Sequence, residues 1–215
     1  MIKKQNYLHP YIKKMKNKGF KEINTELSTY KGEETIYNKY YKNEVFDIIN
    51  SISFIDCIFD NCILNKKIFN STLTNCLFKN CDMSNLNIHD SGIHYITITN
   101  SKILGLNISN SLIKNSIFDN NLSTLLNIFE TEIKNTDFKN NNMINSRICN
   151  TKLNKISFIN NNMTDIEIFM TSLKEIDLST NKINGIKVST NDIKGSIISS
   201  TQVYDLINML EVTIK

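Results

Sequence analysis

The sequence predicts a mainly β fold, a four-sided solenoid in which each side is five residues long. The first observation is a strict spacing of apolar residues. Of the 26 positions that follow one another in steps of five from Phe78 to Val203, all except Ser123 are apolar, although apolar residues make up only 40% of the 215-residue chain. The second is the residue two places after each apolar position, which is most often Asn, Asp or Gly. Neither the helical period of 3.6 residues nor the strand period of two explains a spacing of five.

The turn residues and a longer repeat set the size of one coil. Asn, Asp and Gly tolerate a left-handed backbone, so each five-residue unit supplies one inward residue and then a corner. The segment FKNNNM, which begins at Phe138, recurs as FINNNM from Phe158, 20 residues later. Four sides therefore complete one coil, and residues 20 apart are predicted to stack. Residues 47–200 then form about eight coils, which rise about 4.8 Å each.

The composition agrees with strands and excludes several classes of protein. The chain has one Pro and no Ala, and it is rich in Ile, Asn, Ser and Thr, which favours strands and turns over helices. Its net charge of +4 is too small to imply nucleic-acid binding by itself. No segment has the pattern of a secretory signal or the length of a membrane span, which predicts a soluble, cytoplasmic protein.

Three units carry a resemblance to a known family. CLFKN from Cys76, CDMSN from Cys81 and TDFKN from Thr136 resemble the repeat of the pentapeptide-repeat proteins, and the register covers about residues 47–203. The resemblance implies a right-handed quadrilateral β-helix. One departure is that the family's usual Ala, two places before the inward residue, is replaced here by Ser, Thr, Cys, Asn, Ile or Leu. We therefore expect a wider interior.

The replaced positions predict polar columns inside the rod. One side carries Ser91, Ser111, Thr131, Thr151, Thr171 and Asn191, and another carries Cys81, Ser101, Asn121, Asn141, Asn161 and Asn181. Identical residues stacked at the spacing of β-strands can form amide ladders. Because an inward polar group needs such a partner, we interpret the Asn column as structural.

The cysteines and the first coils deviate from this register. Cys57, Cys62, Cys76 and Cys81 are spaced C-x4-C, which is not a usual zinc spacing, so we interpret them as buried structural thiols rather than metal ligands. Disulfides between stacked partners are geometrically conceivable but disfavoured in a cytoplasm. Stacked cysteines are 19 rather than 20 residues apart. One residue is therefore missing between Phe69 and Leu73, where a bulge or tightened corner is predicted.

Both ends are predicted to cap the solenoid, because an exposed terminal coil is an open sheet edge. Residues 1–46 form a basic, Tyr-rich segment, interpreted as a short helix after Pro10 followed by partly extended chain. Residues 201–215 are predicted to form a helix with its N-cap at Ser199 or Ser200. By resemblance to the family, this helix is a candidate dimerisation element. Its candidate contact residues are Val203, Leu206, Ile207 and Leu210.

Two outward columns are the candidate partner-binding surfaces. The first holds the cations Lys114, Lys134, Lys152, Lys174 and Lys194. It is either a solvated face or a docking strip for phosphates or an acidic protein. The second holds Phe129 and Phe169 with Cys149 between them. These are either ordinary surface residues or a dry contact strip.

No catalytic motif, metal site or cofactor motif is present, so the sequence predicts a non-enzymatic interaction or structural scaffold that binds an unidentified protein partner. The resemblance supplies an alternative, since some pentapeptide-repeat proteins mimic duplex DNA, bind DNA gyrase or topoisomerase IV and protect them from quinolones. Such mimicry needs a strongly acidic surface, whereas the repeat region is near neutral. Nucleic-acid binding through the basic N-terminus is a second alternative. It is tested by the salt dependence of DNA binding.

Overall fold

The computed structural model describes residues 29–207 and shows a right-handed parallel β-solenoid of about 8 coils. All strand pairs are parallel, and from residue 67 onwards partners lie 20 residues apart, as in Thr97 with Ile117. The fold class predicted from the five-residue spacing is therefore confirmed. The strands are β1 (Thr29–Tyr37), β2 (Tyr40–Lys42), β3 (Val45–Ile55), β4 (Ile58–Asp60), β5 (Ile63–Phe69), β6 (Thr72–Thr74), β7 (Leu77–Lys79), β8 (Asn87–His89), β9 (Gly92–His94), β10 (Thr97–Thr99), β11 (Asn107–Ser109), β12 (Leu112–Lys114), β13 (Ile117–Asp119), β14 (Asn127–Phe129), β15 (Glu132–Lys139), β16 (Arg147–Cys149), β17 (Lys152–Ile159), β18 (Glu167–Phe169) and β19 (Lys187–Val188).

The corners form where the turn residues predicted them. Asn80, Asn100, Asn120 and Asn140 follow one another along one corner of the rod, with φ between +51° and +55°. Asn reaches this left-handed region more readily than other non-glycine residues, because its short polar side chain can hydrogen-bond locally. The backbone therefore turns after each group of five residues and leaves short strands between the corners.

Four faces define the rod, and each is named by its inward residues. Face A carries Phe78, Ile98, Phe118, Phe138, Phe158 and Leu178; face B carries Met83, Ile103, Ser123, Met143, Met163 and Ile183; face C carries Ile88, Ile108, Ile128, Ile148, Ile168 and Val188; face D carries Ile93, Ile113, Ile133, Leu153, Leu173 and Ile193. Residues immediately before and after these positions point outward.

Stacked aromatic rings confirm the register inside face A. The ring centroids of Phe118 and Phe138 are 4.7 Å apart, and those of Phe138 and Phe158 are 5.3 Å apart. The separations match the rise of one coil, about 4.8 Å. Inward residues that lie 20 apart in the sequence therefore form columns of contacting side chains.

The shortened side lies five residues upstream of its predicted place. The sequence placed the missing residue between Phe69 and Leu73, but the structure buries Ile68 and places the irregular step between Leu64 and Ile68. Ile63 bridges to Asp82, 19 residues on, whereas the pairs after Lys67 are 20 apart. The prediction was wrong because Phe69 was assigned the inward position. Its ring instead stacks outside on His89, with centroids 5.2 Å apart.

Ser123, the one exception to the five-residue spacing of apolar residues, does not change the register. Ser123 is buried in the inward column of face B, where its hydroxyl donates to the carbonyl of Asn142 at 3.0 Å. Its neighbours Leu122 and Leu125 are exposed. At the N-terminal end, parallel pairing already begins in β1, upstream of the predicted boundary at residue 47. The division into three domains stays a prediction.

A capped helical segment follows the last coil. Short helices span Thr190–Ile193 and Val203–Ile207, and a 3-10 turn spans Ser200–Gln202. Ser199 is the N-cap of this turn and forms a capping box with Gln202. The predicted helix after Pro10 and residue Leu210 lie outside the described residues. No helix among residues 29–207 is long and apolar enough to cross a bilayer.

Candidate interaction surfaces on faces C and D

Face D presents the predicted column of cations. Lys114 lies between His94 and Lys134 on successive coils, and Asn154 continues the column. Glu132 stands beside it and accepts a hydrogen bond from Lys134 Nζ at 2.8 Å. This bond, followed by the charges of Lys134, Lys152 and Lys114, holds the pKa of Glu132 below its usual value. Glu132 therefore stays ionised and offsets part of the positive charge in the middle of the column.

His94 closes the N-terminal end of this column. Its ring folds over Gly92, where an added Cβ would lie 2.9 Å from Nε2. Burial, followed by the charge of Lys114, lowers the pKa of His94. Its buried Nδ1 has no hydrogen-bond partner among residues 29–207. The ring is therefore predominantly neutral at pH 7.

The unpaired cations of the described chain concentrate on this side of the rod. On the other faces most cations of the described residues are held by carboxylates, as in Lys66 with Asp47, Lys79 with Asp60, Lys139 with Asp137, and Lys187 and Arg147 with Glu167. The lysines of face D and its corner towards face A that form no ion pair with the described residues are Lys114, Lys152, Lys155, Lys174 and Lys194. Within residues 29–207, only Lys134 of the predicted column has a carboxylate partner within 4 Å.

Face C presents the predicted column of aromatic residues. Ser109, Phe129, Cys149 and Phe169 occupy paired positions on four successive coils. Phe129 and Phe169 are each 38% exposed, and Cys149 is half-buried between them. The two rings lie two coils apart, about 9.6 Å. The structure thus places both rings at the surface and outside the core.

Large apolar residues also occupy two corners beside this column. Leu125, at the corner between faces B and C, has φ of +61° and is 54% exposed. Met170, at the corner between faces C and D, has φ of +51° and is 73% exposed. Neither side chain can hydrogen-bond to its own turn, so the left-handed backbone costs about 1–2 kcal/mol at each. Sequence analysis missed both as surface candidates, although a Leu or Met where Asn or Gly recurs was the available signal.

A shallow depression of about 640 Å³ lies at the corner between faces C and D and extends onto face D. The corner between faces C and D forms one wall with Asp90, Asn110, Glu130 and Asn150, and Glu132 and Lys152 form part of the other. The two predicted surfaces are therefore neighbours across one corner. They meet along a polar groove that carries carboxylates.

The four interior cysteines are thiols in stacked pairs. Cys57 contacts Cys76, and Cys62 contacts Cys81. Burial raises the pKa of Cys76, and the contact with Cys62, followed by burial, raises that of Cys81. No group of three or more potential metal-ligating side chains occurs among residues 29–207.

Dimerisation through the C-terminal helix stays a prediction, and three of its four candidate residues lie within the described chain. Val203 is exposed, Ile207 is half-buried and Leu206 packs against the core. Sequence analysis also missed Gln202, which is buried and donates to the carbonyls of Leu178 and Asn181.

The geometry defines a fold class, a right-handed, four-sided parallel β-helix, which is the fold that the resemblance of the repeat units to pentapeptide repeats implied. Neither the family models nor the curated proteins include a match to this chain. Among solved structures, the chain is similar to a trypsin-treated variant of QnrB1, a plasmid-mediated fluoroquinolone resistance protein (15% identity, TM-score 0.36), over 86% of this chain and 94% of that chain.

Two further structures extend the comparison. HetL, a pentapeptide repeat protein involved in heterocyst differentiation regulation in Nostoc sp. strain PCC 7120, is 10% identical, with a TM-score of 0.29 over 78% of this chain and 90% of that chain. The A-module of mannuronan C-5 epimerase AlgE4 from Azotobacter vinelandii is also 10% identical, with a TM-score of 0.25 over 76% of this chain and 58% of that chain. Similarity at this level concerns the fold, and these functions differ.

Proposed function

We propose that the protein is a non-catalytic scaffold that binds a protein partner through the flat sides of its β-helix, with face C as the contact surface. The observation that carries the proposal is the pair of exposed apolar corners, Leu125 and Met170. Their backbone conformation would suit Asn or Gly better, and their side chains contribute little to the core. Strain at an exposed position favours a role in binding.

The aromatic column extends the same surface. Phe129 follows Leu125 across face C within one coil, and Phe169 directly precedes Met170. Aromatic rings bury large apolar areas at interfaces with little loss of conformational entropy. Face C would therefore offer two apolar contacts, about 9.6 Å apart, that a complementary partner surface can cover.

The charge distribution supports this function over DNA mimicry. A mimic requires a continuous acidic surface, but Asp60, Asp137 and Glu167 are each paired with a cation on their own face. The second alternative is nucleic-acid binding through the basic N-terminus. It concerns a segment of which residues 1–28 lie outside the described part of the chain, and it stays a prediction.

Paired substitutions test the proposal on a partner that is first captured with the wild-type protein, identified and purified. F129S/F169S and L125N/M170N should each weaken binding of that partner at least about tenfold, as expected for central apolar contacts. L125N/M170N should also stabilise the fold by about 1 kcal/mol, because it relieves left-handed strain. Calorimetry and unfolding by denaturant measure both effects.

The matched control is Y95N. Tyr95 is also an exposed residue in a left-handed corner, with φ of +54°, but it lies between faces D and A. It should gain stability without losing affinity for the partner. Unchanged affinity in both face C variants would refute the proposed function, provided that their unfolding midpoints are not reduced.

A further inference from the structure

The lysines without carboxylate partners on face D form a second, independent surface. We propose that this surface binds an acidic α-helix that lies along the axis of the rod. The inference rests on the proposed function, since it names the kind of protein segment that a flat side would receive. It differs from the proposed function because it depends on the charges of face D and not on the apolar residues of face C.

The first argument is charge complementarity. Lys174 and Lys194 are exposed on adjacent coils and have no carboxylate within 4 Å among the described residues. The nearby Asp192 accepts hydrogen bonds from the amides of Met170 and Thr171, each at 3.0 Å, and from the hydroxyl of Ser189. Because Asp192 is committed to these three donors, the two ammonium groups keep their capacity for an external anion.

The second argument is spacing. Successive lysine positions rise about 4.8 Å per coil, and carboxylates on one face of an α-helix recur about every 5.4 Å. From Lys114 to Lys194 the column rises about 19 Å, over which the two repeats diverge by about 2–3 Å. The flexible four-carbon stem of Lys can absorb this difference.

The third argument is shape. A side of five residues spans at most about 17 Å, and an α-helix with its side chains is about 10–12 Å wide. The width of a helix therefore lies within the upper limit for the width of one side. A nucleic-acid backbone that crossed towards the exposed rings of face C would meet Asp90 and Glu130 at the intervening corner and Glu132 beside it on face D, and these carboxylates would repel phosphates. The observations favour an acidic protein helix over a nucleic acid.

The test uses the full-length protein and three fluorescent probes. One is a 21-residue helical peptide with Glu at every third or fourth position along one face; another is a scrambled peptide of the same composition; the third is a 20-base-pair DNA duplex. Anisotropy at low and physiological salt should show that the helical peptide binds about tenfold more tightly than the scrambled peptide. The DNA duplex should bind more weakly than the helical peptide.

Two variants with the same change in net charge locate the site. K174E/K194E reverses two exposed lysines of face D. K67E/K182E reverses two exposed lysines of faces C and B that form no ion pair with the described residues. The first should weaken peptide binding about tenfold and the second less than about twofold. Equal losses in both variants, or no preference for the helical peptide, would overturn the inference.

Preferential binding of the duplex, lost only in K174E/K194E, would also overturn it and assign face D to nucleic acid. Failure of this inference is distinguishable from failure of the proposed function. If the partner captured through face C still depends on Phe129 and Phe169 while the acidic helix does not bind, only the inference about face D fails.

Discussion

The interior asparagine column and the interior hydroxyl column occupy equivalent positions on faces B and D but connect the coils differently. In the asparagine column, Nδ2 of Asn141 donates to Oδ1 of Asn161 at 3.0 Å and to the carbonyl of Phe118 at 2.9 Å. In the hydroxyl column, Oγ1 of Thr151 donates to the carbonyl of Cys149, two residues back, at 2.9 Å. The side-chain amide of Asn141 thus donates to two other coils, whereas the hydroxyl of Thr151 donates within its own corner. Hydroxyl oxygens of the same column link coils as acceptors, as Oγ1 of Thr171 does for the backbone N–H of Thr151 at 3.1 Å.

The difference follows from the length and the number of donors of each side chain. An Asn amide has two donor hydrogens and an acceptor oxygen, so one residue can bond to the coils before and after it. A hydroxyl has one donor hydrogen and a shorter reach, and its nearest acceptor is local. We infer that the asparagine column contributes more to stacking of the coils than the hydroxyl column.

The largest expected effect is that of removing one amide from the ladder. N141L introduces an apolar side chain of similar size. It leaves the buried backbone N–H of Asn121 without its acceptor, Oδ1 of Asn141 at 3.0 Å. Because an unsatisfied buried donor costs about 1–3 kcal/mol and the side-chain bonds are lost as well, we expect a loss of about 2–4 kcal/mol. Unfolding in urea measures this free energy.

The matched variant in the other column is T151V, which preserves shape and removes only the hydroxyl. It should cost about 1 kcal/mol, because Cys149 loses one local donor. A loss as large as that of N141L would contradict the distinction between the two columns.

The next effect concerns the end of the asparagine column. Gln202 extends the column by one position, with Nε2 donating to the carbonyl of Leu178 at 2.9 Å and to that of Asn181 at 2.6 Å. Q202M should destabilise the protein by about 1–2 kcal/mol, because the buried carbonyl of Asn181 loses the side-chain donor it has in the described chain and the carbonyl of Leu178 keeps only its bonds from Asn181. Hydrogen exchange should show faster opening of residues 178–188 first. S200A, at an exposed neighbour, should leave both measurements unchanged, and equal exchange in Q202M and wild type would argue against a capping role.

The sequence predicts the columns well because one inward residue fixes the register of each five-residue side. The stack of Phe138 on Phe158 and the asparagine column both follow from offsets of 20 residues. The shortened side was harder to place, because Ile68 and Phe69 are adjacent apolar residues and either could point inward. Only the pairing of Ile68 with Ile88 and of Phe69 with His89 decides between them. Long-range pairing, which local residue type cannot encode, sets the position of the irregular step.

Surface function was less predictable for a related reason. The columns of Lys114 and Phe129 follow from the repeat, but the repeat does not show which lysines are neutralised. Glu132 pairs with Lys134 because their side chains are adjacent on the same outward face. Lys174 has Ser172 at the equivalent position, so its charge has no adjacent carboxylate partner among residues 29–207. The distinction depends on single residues that break the repeat.

The smallest expected effect is a pH dependence of stability that arises from His94, at the N-terminal end of the lysine column on face D. His94 has a lowered pKa in the fold, so the unfolded chain binds its proton more readily. The free energy of unfolding is therefore unaffected by this group above the usual pKa of His, near 6.5. It decreases as the pH falls through that value towards the lowered pKa of His94 in the fold. We expect less than about a tenfold change in the unfolding equilibrium constant, because the ring is only partly buried. H94Q should flatten the slope of urea midpoint against pH between about 5 and 7, and K114Q should reduce it by removing the nearby charge. A slope unchanged in H94Q would assign the titration to another group.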